Sequence, residues 1–130
     1  MTACGVWPTS RGLLAVLIDS AGRARSFPIA LTDDARWGLS QRLAAVGAAL
    51  VLDEALLESD RIAHVARRAG VTVWIAGPPL IQSLRCAAGI ARRGARPSAA
   101  LLARLPAIPW LRSLLRRLEP PDDDRQIMLL

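Results

Sequence analysis

The chain has no lysine, and His64 is its only histidine. All 17 basic residues are therefore arginine; against 11 acids they leave a net charge of +6. A lone imidazole disfavours zinc sites and histidine triads that need a second one. Cysteine is scarce as well: Cys4 and Cys86 make neither metal-ligand spacing nor a disulfide framework, and are expected as thiols in a reducing cytoplasm. Long apolar runs are also missing. A spanning helix needs about 20 such residues, and the runs at 13–18 and 44–52 fall short of that. Arg11 ahead of residues 13–18 echoes a signal peptide, but the run is below the usual length of about 7 to 15 and Asp19 ends it. A cytoplasmic location without membrane contact is the expectation.

What is present is a foldable composition. The 130 residues are 52% hydrophobic, with mean hydropathy +0.30, which excludes the polar, charge-rich composition of disordered chains. A chain of this length buries roughly two-thirds of its unfolded surface in one core. One domain over 1–118 with an acidic and apolar tail at 119–130 is expected. Charge is unevenly spread: residues 1–84 hold eight arginines and seven acids, whereas 85–117 hold eight arginines and no acid. Such a block points to a polyanion, because arginines displace the counterions condensed on a phosphate backbone. The competing reading is a solvated face paired with the acidic tail.

Local patterns place the elements. Apolar runs at 4–7, 13–18 and 24–31, separated by Pro8-Thr9-Ser10-Arg11-Gly12 and Asp19-Ser20-Ala21-Gly22, predict a three-stranded antiparallel meander. Thr32 is an N-cap, Asp33 and Asp34 suit the positive helix end, and Ala35, Leu39, Leu43 and Val46 keep helical spacing up to Gly47. Residues 48–52 read as a strand buried on both faces, ending on Asp53 and Glu54. Ser59 is expected to cap a second helix with Ile62, Val65, Ala66 and Ala69 inward and His64 on the outer side. Gly70 closes that helix before a strand at 71–76. Beyond Pro78 the pattern is helical: one helix over about 80–92, one capped by Ser98, and a last one from Pro109 carrying Leu111, Leu114, Leu115 and Leu118. On that last helix Arg112 and Arg116 would share a face.

The expected fold class is α/β, a three-stranded antiparallel meander followed by helix, strand, helix and strand, with C-terminal helices. That order is the RNase H-like arrangement. The residues sharpen it: residues 5–13 and Asp19-Ser20-Ala21-Gly22, then Glu54-Ala55, Pro78, Gly89, residues 93–99 and Leu102-Ala103 follow one frame. In that frame the chain resembles the RuvC-like, DEDD-type N-terminal domain of bacterial insertion-sequence transposases, over about 5–104. The resemblance implies a carboxylate cluster holding two Mg²⁺ ions about 4 Å apart for phosphodiester chemistry. It also places Trp7 where the first acid belongs and Ala95 and Ser98 where the late acids belong, leaving a vestigial Glu54. A catalytically inactive, transposase-like domain is the expectation, with no metal cofactor unless a rearranged site holds Mg²⁺. Asp53 or Glu54 would face the old site.

The resemblance further implies contact with DNA or RNA near that site, through Arg92, Arg93 and Arg96 first and Arg85, Arg112 and Arg116 second. The role of such a protein would be that of a mobile-element accessory. The alternative is a self-assembly or protein-interaction module without nucleic-acid binding, using the C-terminal helices and Ile127-Met128-Leu129-Leu130.

Overall fold

A computed structural model describes residues 1–77, 80, 82, 83 and 94–119. The elements are β1 (Ala3–Thr9), β2 (Gly12–Ile18), β3 (Ala24–Ile29), α1 (Asp33–Ala45), β4 (Ala49–Asp53), α2 (Ser59–Arg68), β5 (Val73–Ala76), α3 (Ala95–Arg104), a 3-10 turn (Leu105–Ala107), α4 (Pro109–Arg112) and β6 (Arg116–Leu118). They form a mixed α/β structure around one six-stranded sheet in the order β3-β2-β1-β4-β5-β6. The meander β1-β2-β3 is antiparallel, β4 and β5 run parallel to β1, and β6 closes the edge antiparallel to β5.

The sheet is covered on both faces. Cys4, Val6, Leu50, Leu52, Val73 and Ile75 pack against Leu39 and Leu43 of α1 and Ile62, Ala63 and Ala66 of α2. The alternate residues Ala3, Val51, Trp74 and Ala76 pack against Leu102 of α3, Leu105, Leu111 and Leu115. Strand parity explains why the run at 48–52 had to be apolar throughout. At Gly5 the second layer comes closest: a Cβ there would stand 2.0 Å from the Ala99 carbonyl oxygen, so α3 rests directly on the β1 backbone.

Helix ends follow local chemistry. The Thr32 hydroxyl accepts a hydrogen bond from the Ala35 N–H at 3.1 Å, and Gly47 and Gly70 adopt φ of +66° and +92° just past α1 and α2. Asp19 Oδ1 accepts from the Ala21 and Arg23 N–H groups at 2.9 Å each and shapes the turn between β2 and β3.

Several expectations are corrected. Val46 lies beyond the end of α1 and is exposed, while Arg36 and Ser40 join Leu39 and Leu43 on the buried face. Ser59 is the first residue of α2 rather than its cap, and the N-cap Glu58 makes no capping bond. α3 starts at Ala95, three residues before Ser98; Pro97 is tolerated there because first-turn N–H groups have no helical partner.

The expected last helix stops at Arg112, so Arg112 and Arg116 share no helix face. Residues 116–118 instead pair with β5, Ile75 with Arg116 and Val73 with Leu118, and satisfy a strand edge that would otherwise be bare. Of the helix expected over 80–92 only Leu80, Gln82 and Ser83 are described, all helical. The tail beyond Glu119 lies outside the described residues.

Candidate functional site

The end of the sheet where β4 and β5 finish is the first region of interest. β1 and β4 pair in parallel as Ala3 with Ala49 and Gly5 with Val51. Two residues further, that register sets Trp7 level with Asp53, on the face that carries Val51 and Ala76 and is covered by α3. Asp53 is buried, and its Oδ1 accepts the Ala55 N–H at 2.9 Å as the chain turns out of β4. Trp7 is half-buried and packs with Leu14, Val16, Ala99 and Ala103. Ser98 opens the buried face of α3, and its hydroxyl is buried without a hydrogen-bond partner among the described residues.

Glu54 goes elsewhere. It is exposed beyond the strand, its N–H donates to the Ala76 carbonyl at 2.9 Å, and it borders a cavity beside α2 with Asp60 and Arg116. Of the two acids expected here, Asp53 is therefore the one on the Trp7 face, and the vestigial Glu54 is not. Strand parity separates the two acids, and the β1–β4 pairing sets Asp53 on the Trp7 side. This end does not suit a divalent cation: among the described residues the Trp7 face offers one carboxylate, already engaged by a backbone N–H, beside a packed indole, where Mg²⁺ takes several hard oxygens. Among the described residues no group of three or more potential metal ligands occurs.

The arginines separate in space. Arg85, Arg92 and Arg93 lie outside the described residues. Arg96 is exposed in the first turn of α3, a turn that contains no acid. A cation there opposes the helix dipole, so a bound anion would relieve both. Arg116 lies across the sheet on the α2 side.

Arg112 is half-buried and lines a different cleft, at the opposite end of the sheet, with Arg117, which the expected last helix concealed. His64 is exposed on α2 as expected. Cys4 is fully buried, and desolvation pushes its thiol from 9.0 up to about 12, which makes it a core residue rather than a nucleophile.

Among the described residues no helix is long and apolar enough to cross a membrane. No family model matches the chain, and no curated protein matches it.

Proposed function

We propose that this chain is an RNase H-like, RuvC-like domain of the insertion-sequence transposase type, without a working metal centre, that binds nucleic acid as a cytoplasmic, mobile-element accessory protein. One observation carries the reading: β1 lies centrally between an antiparallel meander and two parallel strands, with α3 laid across it. That order brings Trp7 and Asp53 to one face at one end of the sheet, beneath the helix that carries Ser98. The packed indole, the serine and the local engagement of Asp53 support the absence of catalysis. Exposed Arg96 in the first turn of α3 supports a phosphate-backbone contact beside them.

The test is fluorescence anisotropy of labelled DNA and RNA titrated with the full chain at rising salt. Binding that weakens steeply with salt is expected; no binding to either polymer at low salt sinks the reading. The fold assignment has its own check. Installing Trp7→Asp and Ser98→Asp beside Asp53 should create Mn²⁺ binding in calorimetry, and a folded variant that takes up no Mn²⁺ would count against it.

A second reading rests on the surface near α4. Ile108, Trp110 and Leu114 are exposed, whereas Leu111 and Leu115 belong to the core. An apolar patch of this kind is what a self-assembly or protein-interaction module would present. Light scattering that shows a concentration-dependent oligomer, abolished by Trp110→Ser with Leu114→Ser, would favour it.

A further inference from the structure

We propose that the cleft at the N-terminal ends of β1, β4 and β5 is a phosphate-binding site held by Arg112 and Arg117. It lies at the opposite end of the sheet from Trp7 and Asp53, and it stands whether or not that other end binds nucleic acid. The cleft measures about 340 Å³ and includes Thr2, Thr72 and Trp74 in its lining. Among the described residues, Arg112 and Arg117 are the only charged side chains in that lining.

Arg112 supplies the strongest argument. It is half-buried at the end of α4, and its guanidinium makes no ion pair or hydrogen bond with any described residue. A cation that has lost part of its hydration without gaining a counter-charge is costly, and an anion in the cleft supplies that charge. Arg117 is held in place from two sides. Its guanidinium lies 5.3 Å from the Trp74 ring centroid, and its Nε pairs with Glu119 Oε1. The Glu119 carbonyl in turn accepts the Arg67 Nε–H at 2.8 Å, which anchors the segment to α2. With Nε engaged, the terminal nitrogens of Arg117 remain as donors in a fixed fork, the geometry that suits phosphate oxygens.

The same geometry limits what binds. Trp74 is 8% exposed and already faces Arg117, so its ring is closed to base stacking and the ligand is recognised by its phosphate. The ends of α1 and α2 reach this rim, where free carbonyls would repel an anion. Part of that repulsion is removed: Ala48 N–H donates to the Leu43 carbonyl and Val71 N–H to the Ala66 carbonyl, each at 2.9 Å. Thr2 and Thr72 in the lining carry neutral hydroxyl donors. The volume admits a phosphate with an attached sugar, at the lower end of the range of small-molecule pockets.

A free phosphate monoester and the terminal phosphate of a nucleic-acid strand share this chemistry. Calorimetry on the full chain separates them, using inorganic phosphate, a nucleoside monophosphate, and one oligonucleotide with and without a terminal phosphate. Inorganic phosphate should bind, and Arg112→Gln should weaken it about tenfold, the worth of one hydrogen bond to a charged group. Arg116→Gln should leave it unchanged. Because the Arg112 guanidinium holds no ion pair or hydrogen bond with a described residue, this variant should keep the native near-UV circular dichroism of the tryptophans.

Tighter binding of the phosphorylated oligonucleotide, with the advantage lost in Arg112→Gln, identifies a strand end as the ligand. Equal affinity for the mononucleotide identifies a free phosphate ester. No phosphate binding by the unsubstituted chain, or equal binding by Arg112→Gln, overturns the proposal. Loss of oligonucleotide binding alone, with phosphate still bound, would count against the nucleic-acid reading and leave this site standing.

Discussion

At the scale of single residues, the missing lysines and tyrosines have an experimental consequence. Without those side chains, which would titrate between about pH 9 and 12, the burial of Cys4 can be read from stability alone. Its pKa is raised from 9.0 to about 12 in the folded chain. The unfolded thiol therefore loses its proton first, and stability present below pH 9 declines towards pH 12. The decline approaches about 1.4 kcal/mol per pH unit for one thiol. Urea midpoints at pH 8 and pH 10.5 should differ in the natural chain and in Cys86→Ala, and the difference should shrink in Cys4→Ala. A second residue-scale expectation concerns Arg36, 4% exposed on α1, which donates from Nε and Nη2 to Glu58 Oε2 at 3.1 and 2.7 Å. Arg36→Met leaves the half-buried Glu58 carboxylate without its partner and should cost about 2 kcal/mol in urea denaturation. The link to exposed Asp33 adds little, because water screens it.

At the scale of elements, α3 depends on Gly5. An alanine methyl would overlap the Ala99 carbonyl oxygen, so Gly5→Ala has to lift the helix off β1 and should cost about 3 kcal/mol, the upper end for overpacked cores. The measurement is thermal unfolding; an unchanged transition would mean that α3 does not rest on the strand. The contact shows which elements the sequence could announce. The meander, α1 and β4 were legible because turn residues, an N-cap and a continuous apolar run are local signals. The close approach at Gly5 involves residues some 90 positions apart, and no local pattern records it. β6 was hidden for a similar reason. Leu111, Leu114, Leu115 and Leu118 keep helical spacing, yet an unpaired β5 edge was there to be filled, and the pairing outweighed the periodicity. The candidate acid shows the same limit: Asp53 and Glu54 were both named, and only the β1–β4 register decides between them.

At the scale of the whole molecule, a block of charge in the sequence is not a patch on the surface. The eight arginines of 85–117 follow one another without an acid, but the described ones part company: Arg96 sits at the start of α3 and Arg104 at its end, Arg112 and Arg117 at the beginnings of the parallel strands, and Arg116 on the α2 side beside Glu54 and Asp60. A polyanion that follows one face cannot neutralise them all. The salt dependence of nucleic-acid binding reads this directly, because each neutralised phosphate contributes about 0.9 to the slope of log K against log salt for duplex DNA. Arg96→Gln should flatten that slope by about 0.9, the value for one lost phosphate contact. Arg116→Gln should leave it unchanged, since its field is offset by two acids on the far side of the sheet. Equal flattening by the two substitutions would mean that the arginines act as a diffuse cloud rather than through one surface. A change confined to Arg96 would place the bound strand at the start of α3, beside the face that Trp7 and Asp53 share.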